Sequence, residues 1–467
     1  MPIYAMALFA LLLGYDSLAL DTPPADATDW ALSLLAKAVL ALAWSMTCLR
    51  VSRSWSSSTA HRKLPTLYRF ADNYGPLALI LFALDLYLGT LASVRSTLGD
   101  PILLDELITL LPTFLLLTWR WVPYFPIDRW AREAGTMRRM MEGKPVYPPT
   151  TLATYVLDQT RHQLAPVLMP MLLIVAWLET LNLIDTTTTN KGLLLFAGLI
   201  AILALSAPLI IASWRTRSVP PGELRDDLTG LCQTQRVRPG HFRLWITEGR
   251  LANAAVLGIL WPFRYVLITD TLLDHLPKPQ ILGVLAHEVA HVRQRHALWL
   301  GLGTLAVAWA GETALRLSPW ADLLTAAAYG QTDETTAVVT LSLATAAVAI
   351  PWLLAMGYLS RRFERQADAA AVRALSLHND PQANTASEQA ANDMNAALNA
   401  VAELNNMSTT RFMWRHGSIR ERQDHLRSLI HTPLNRFPID QRVQTLRLLI
   451  LLTAAITTAT WFAFDLW

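Results

Sequence analysis

The feature that most limits what this chain can fold into is a succession of apolar stretches of about 18–25 residues, the length a helix needs to cross a hydrocarbon core. They fall at 2–20, 30–49, 75–94, 102–122, 164–184, 192–214, 298–317, 336–359 and 446–464. In lipid such segments satisfy their backbone polar groups as helices, so the sequence predicts a mainly α, polytopic α-helical membrane protein of about nine spans. Composition agrees: 53% of the 467 residues are hydrophobic and 16% charged, outside the usual range of soluble domains. The first stretch has no Lys or Arg ahead of it and no small-residue cleavage site after it, so it reads as a span and not a signal peptide.

Charge in the connections orients these spans. Arg50, Arg53, Arg62, Lys63 and Arg69 lie between the second and third, and Arg120, Arg129, Arg132, Arg138, Arg139, Lys144 and Arg161 between the fourth and fifth. The alternate connections are acidic or nearly uncharged, with Asp16, Asp21, Asp26 and Asp29 after the first span and Asp322, Asp333 and Glu334 after the seventh. By the positive-inside rule the N-terminus and both long polar segments face the cytoplasm, while Trp467 lies on the far side. The organisation expected is a four-span region (1–122), a basic loop (123–163), a two-span hairpin (164–214), a polar segment (215–297), a second hairpin (298–359), a second polar segment (360–445) and a last span (446–467). Cys48 and Cys232 form neither a disulfide framework nor a CxxC site. The bilayer is one expected partner, and nucleic acid is not.

The first polar segment contains a short helical pattern at Leu224–Gln235, then β-like runs at His241–Thr247, Leu251–Leu257 and Phe263–Thr269, read as a small antiparallel meander. After Pro277 and Pro279 a helical pattern carries Leu285-Ala286-His287-Glu288-Val289-Ala290-His291. This is an HExxH pattern, and chance supplies one in roughly one such chain in a hundred. Histidines four apart share a helix face, so both imidazoles reach one ion, with Glu288 beside whatever that ion holds. Such an ion keeps a position open for water and lowers its pKa, and a neighbouring carboxylate accepts the proton. Past the second hairpin comes Ser360-Arg361-Arg362-Phe363-Glu364-Arg365-Gln366-Ala367-Asp368, where Glu364 and Asp368 also share a face. One can ligate while the other accepts from a ligating imidazole. Alone, an acidic pair among arginines is more often a solvated face; returned to the same membrane side as HEVAH, it supplies the best third ligand available.

These residues together resemble the M48-class membrane-embedded zinc metallopeptidases, the class of the CAAX prenyl protease Ste24 and the stress protease HtpX. Asn253-Ala254 resembles the class's Asn-Ala strand, and His416-Gly417-Ser418-Ile419-Arg420-Glu421-Arg422 its His-Pro-x-x-x-x-Arg segment. The resemblance covers roughly 164–425. It implies a zincin-like α+β catalytic domain at the cytoplasmic face, one Zn2+ held by His287, His291 and Glu364, Glu288 as general base and Asp368 as partner of a ligating histidine. Further implied are His416 at the oxyanion, Arg422 supporting the site, and Asn253 and Ala254 pairing with substrate. Gly417 departs from the pattern, since the class usually has proline there. The activity implied is hydrolysis of peptide bonds in membrane-associated or misfolded polypeptides, in a multi-pass protein of the bacterial inner membrane.

Other residues read more plainly. His296 lies five residues past His291, off the ligand face, and reads as an interfacial residue with Arg293 and Arg295. His241, His275, His378 and His425 match no ligand spacing. Two other functions compete. A catalytically silent membrane scaffold or chaperone has no need of Glu288, and a transporter usually places ionisable residues at mid-depth, where these spans have few.

Overall fold

In the computed structural model, residues 7–9, 11–12, 23–53, 60–99, 101–141, 143, 146–147, 149–185, 187–238, 240–258, 260–405 and 407–464 are described. The chain divides into two compact units, Met1–Arg215 and Thr216–Trp467.

The first unit is helical. Its helices are α1 (Ala27–Ser52), α2 (Ala60–Tyr87), α3 (Thr90–Leu98), α4 (Leu104–Trp119), α5 (Trp121–Met141), α6 (Leu152–Leu183, with a π turn at Thr160–Leu164) and α7 (Thr188–Ser213). Asp26 starts α1 with a capping box, accepting from the backbone N–H groups of Thr28 and Asp29 while Asp29 accepts from its own. Trp44, Tyr74 and Phe82 are buried in the core, and the Trp44 indole donates to the Arg120 carbonyl at 2.8 Å. Leu32, Leu35, Val39 and Leu42 of α1 stay exposed, as a lipid-facing surface requires.

Among the described residues, six helices are long and apolar enough to cross a membrane: Ala27–Ser52, Leu152–Leu183, Asn190–Ser213, His296–Arg316, Thr335–Asn379 and Pro438–Phe464. They coincide with six of the nine expected spans. The expected span 75–94 falls on α2 and α3, which meet at a 53° bend. Gly89 makes that bend at φ 74°, where an added Cβ would lie 2.0 Å from the Pro23 carbonyl oxygen. The expected span 102–122 covers α4, whose 16 residues fall short of a straight crossing. The expected span 2–20 lies almost wholly outside the described residues.

The second unit joins a four-stranded sheet to a helical layer. Its elements are β1 (Thr216–Ser218), α8 (Glu223–Thr234), β2 (His241–Trp245), β3 (Ala254–Leu257), β4 (Tyr265–Thr269), α9 (Asp270–His275), α10 (Lys278–Arg293), α11 (His296–Arg316), α12 (Ala321–Ala328), α13 (Glu334–Asn379), α14 (Glu388–Leu404), α15 (Ile419–Ser428) and α16 (Pro438–Phe464). The sheet corrects the expected antiparallel meander, because it is mixed: its order is β1-β2-β4-β3, with β2 parallel to β4 and the other pairs antiparallel. Alternation locates strands but not their neighbours. Val266, Leu267 and Ile268 form a continuous apolar run covered on both faces, which places β4 centrally and leaves β3 at an edge.

The second hairpin and second polar segment share one helix. Its 46 residues make α13 about 69 Å long at ~1.5 Å per residue, apolar and exposed at Leu343, Ile350 and Leu354, then buried at Phe363, Ala367, Ala371 and Val372. Helix α10 packs against α13, α14 and β3, and the core closes over Leu285, Ala286, Phe363, Met394, Leu426 and Phe437. Phe437 is fully buried, with the Arg373 guanidinium 4.7 Å from its ring centroid. Phe437→Ala removes a ring from a closed core and is expected to cost about 3–5 kcal/mol; a denaturant midpoint no lower than that of the wild type in the same detergent would contradict this packing.

Candidate active site

Pro277 caps α10 and Pro279 occupies its first turn, where a missing N–H costs nothing. Ile281, Leu282, Leu285, Ala286 and Val289 bury one side of the helix, which fixes the direction of the other. On it His287 Nε2 and His291 Nε2 lie 3.2 Å apart. From α13, Glu364 brings Oε2 to 3.5 Å from His287 Nε2 and Oε1 to 3.7 Å from His291 Nε2. Four ligands at about 2.0–2.1 Å around a tetrahedral ion stand roughly 3.4 Å from each other, so these three side chains have the spacing such an ion imposes. Ligand atoms of the trio all fall within 4.8 Å of one another.

Behind the trio stands a buried ion pair. His287 Nδ1 is 2.9 Å from Asp368 Oδ1, and Arg422 of α15 donates to both Asp368 oxygens, from Nε at 2.8 Å and Nη2 at 2.6 Å. Arg422 Nη1 also reaches within 3.5 Å of Glu364 Oε2. On the open side His416, 40% exposed, holds Nδ1 3.0 Å from Glu364 Oε1. The expected ligands, Asp368, His416 and Arg422 therefore converge.

Burial raises the Glu288 carboxyl to about 7, with Glu364 adding to the rise and His287, Arg422 and His416 opposing it. A carboxylate near that value suits a proton acceptor at neutral pH. Burial also holds the His291 imidazole well below its usual pKa, in the neutral form that ligates. For His287, burial lowers the pKa but hydrogen bonds to Asp368 and Glu364 outweigh it and raise the value to about 10, so a proton and a cation compete for this side chain.

His296 corrects the interfacial reading. It is buried, its Nδ1 lies 2.8 Å from His291 Nδ1, and its ring stacks on Phe363 at 4.3 Å. Continuous helix would have carried it off the ligand face. The helix instead stops at Gln294, Arg295 turns with φ 54°, and α11 begins on His296. With His291 Nε2 free to ligate, its Nδ1–H donates to His296 Nδ1. His296 Nε2–H then donates to Gln366 Oε1 at 3.0 Å, Gln366 Nε2 donates to Asp440 Oδ1 at 2.8 Å, and Arg373 donates to Asp440 Oδ2 at 2.6 Å.

The strand near Asn253 is also partly reassigned. The N–H of Asn253 donates to Thr269 Oγ1 and its carbonyl accepts from the Thr269 N–H, both at 3.0 Å, so its backbone is committed to β4. Antiparallel alternation then turns the backbone groups of Ala254, which is buried, and Val256, which is half-buried, toward the outer edge of the sheet. Asn405 anchors this strand, accepting from Ala252 N–H at 3.1 Å and donating to its carbonyl at 2.7 Å. A second acidic group, Asp105, Glu106 and Glu179, lies in the first unit, where Arg95 pairs with Asp105 at 2.6 Å and Glu106 at 3.0 Å.

Fold and site together define a membrane metallopeptidase. Residues 224–430 match the family model Peptidase family M48. A protease HtpX homolog of Aeropyrum pernix is 28% identical over 226 residues, covering 47% of this chain and 69% of that one. Another, from Pelotomaculum thermopropionicum, is 36% identical over 106 residues, covering 22% and 36%. The crystal structure of S. mikatae Ste24p is similar over 86% of this chain and 100% of that chain, with a TM-score of 0.48 and 16% identity.

The His296 chain predicts that His296→Leu, which removes the acceptor for His291 Nδ1–H, weakens metal retention 10–100-fold. His296→Asn keeps an acceptor where Nδ1 was and should recover most of it. Competition against a chelator measures both; equal affinities for Leu and Asn would reduce His296 to packing.

Proposed function

We propose that this protein is an integral-membrane zinc-dependent endopeptidase that hydrolyses membrane-associated or misfolded polypeptides at the cytoplasmic face. The observation that carries this reading is the spacing of His287, His291 and Glu364, with Glu288 beside them. His287 and His291 through Nε2, and Glu364 through a carboxylate oxygen, would hold the ion. Zinc bound there supplies a Lewis acid and a water of lowered pKa.

The residues of the chain do the rest. Glu288 accepts the proton of the attacking water and returns it to the leaving amine. Asp368 accepts from His287 Nδ1–H and so fixes the tautomer that leaves Nε2 free. Arg422 holds Asp368 ionised in a buried place. His416, steadied through Nδ1 by Glu364, would donate Nε2–H from its imidazolium form to the oxyanion that develops on the scissile carbonyl. Substrate pairs as an added strand along Ala254 and Val256, beside Asn253.

Two measurements test this. Elemental analysis should find about one zinc per chain, lost in His287→Ala, His291→Ala and Glu364→Ala but kept in Glu288→Gln, whose turnover of an unfolded or membrane-bound substrate should fall about 10²–10⁴-fold. Unchanged cleavage by Glu288→Gln would remove the base and favour the scaffold. For orientation, a tag inserted at residue 382 should be shielded with the cytoplasm and one at residue 330 labelled from outside; the reverse pattern would turn the site to the other face.

A further inference from the structure

Three helices converge on a cavity of about 210 Å³ away from the ligand trio. Arg362 and Arg365 line it from α13, His425, Ser428 and Thr432 from α15 and the turn after it, and Arg442 from α16. No carboxylate lines it. Among the described residues, no Asp or Glu forms an ion pair with any of these three arginines. Glu421 lies near enough to act on Arg365 electrostatically but forms no ion pair with it and accepts from the Ser418 N–H in the cap of α15, while Asp440 serves Gln366 and Arg373. Arg362 Nε and His425 Nε2 are buried without a hydrogen-bond partner. Arg362 Nε–H is an unpartnered donor, burial and the neighbouring Arg365 hold the His425 imidazole below its usual pKa, and the three like charges gathered here cost free energy unless an anion joins them.

The depth of the cavity points to the source of that anion. On α13 the exposed apolar run ends at Leu354 and Tyr358, and Arg362 follows one turn later with its guanidinium 4.7 Å from the Tyr358 ring centroid. On α16 the run begins at Leu448 and Leu449, about two turns past Arg442. Both helices thus set their arginines just outside the hydrocarbon, where lipid phosphates lie and where aromatic and basic side chains anchor. Basic residues at this depth need no ligand when they fan into solvent. Here Arg362 and Arg365 are half-buried along a concave space that Arg442 borders from its exposed rim.

We infer that the cavity lined by Arg362, Arg365, His425 and Arg442 binds a phosphate group, supplied by the headgroup of an anionic phospholipid. Planar guanidinium groups match phosphate oxygens in pairs, while Ser428 and Thr432 add hydroxyl donors. This goes beyond the peptidase reading and does not depend on hydrolysis. It makes a lipid a resident part of the elements that also carry Glu364 and Arg422.

The test uses the full chain, delipidated in detergent and titrated separately with short-chain phosphatidylglycerol, phosphatidylcholine and inorganic phosphate, with occupancy counted by native mass spectrometry. Wild type should bind one phosphatidylglycerol saturably and phosphatidylcholine at least tenfold more weakly. The double variant Arg362→Gln/Arg365→Gln should lose at least tenfold in phosphatidylglycerol affinity and Arg442→Gln a few-fold, while Arg293→Gln, an exposed arginine outside the cavity, should match wild type. Melting temperature and zinc content, read on the same samples, show that each variant is folded. If a variant is not, Arg365→Lys, which keeps the charge and loses the paired geometry, replaces it with the same expected direction. Inorganic phosphate that binds wild type, displaces the lipid and is lost in the double variant would overturn the lipid source. Equal phosphatidylglycerol affinity in wild type and double variant, or an equal loss in Arg293→Gln, would overturn the site.

Discussion

Asp368 is fully buried, and a carboxylate taken out of water must be paired or become protonated. Arg422 pairs with it through two donors, and its third nitrogen faces Glu364 one turn earlier on the same helix. One guanidinium therefore ties α15 to two positions of α13, and through His287 to α10. Removing either member would strand a buried charge, whose cost of about 3–5 kcal/mol is a large share of a domain's stability. The electrostatics follow from the same pairing. Once a cation has displaced the His287 proton, Glu364, Asp368 and ionised Glu288 would bring three negative charges against one from Arg422, and a dication would neutralise the net of two.

Continuity of α13 turns this local clamp into a link with the membrane. A hinge between hairpin and polar segment would let Glu364 drift from the histidines by more than a ligand bond tolerates. An unbroken helix carries Glu364, Gln366 and Asp368 as one body, each on the face its spacing dictates. Gly417 serves the opposite need. It takes φ 75°, outside the range of proline, and exchanges backbone hydrogen bonds with Met413, so the segment that presents His416 turns here by a left-handed glycine. The departure from the family's proline thus has a definite backbone geometry.

Much of this was legible in the sequence wherever local spacing determines geometry. Histidines four apart, carboxylates four apart and apolar runs of span length each translate directly into a helix face or a crossing. What escaped depended on chain breaks and on neighbours distant in sequence. His296 looked misplaced because its five-residue offset was judged on a continuous helix, and only the turn at Arg295 brings it back. Gln366 and Asn405 carry no motif, and their roles come from partners 70 and 153 residues away. The sheet order escaped for a related reason, although the unbroken apolar run of β4 beside the shorter β3 was a usable sign of which strand is central.

The two histidines of the HExxH pattern end up with different partners, and the difference has a chemical direction. His287 leans on an ionised carboxylate, which strengthens its Nε2 as a donor but also raises its affinity for a proton. His291 leans on a neutral imidazole whose other nitrogen is committed to Gln366, an arrangement that orients the ring and leaves its proton affinity low. A site with two carboxylate-backed histidines would hold its ion more tightly, yet it would gather further negative charge beside Glu288 and push that carboxyl above the neutral range. With one charged and one neutral support, the site keeps both ligand orientations fixed while Glu288 stays able to give up and take back a proton near pH 7.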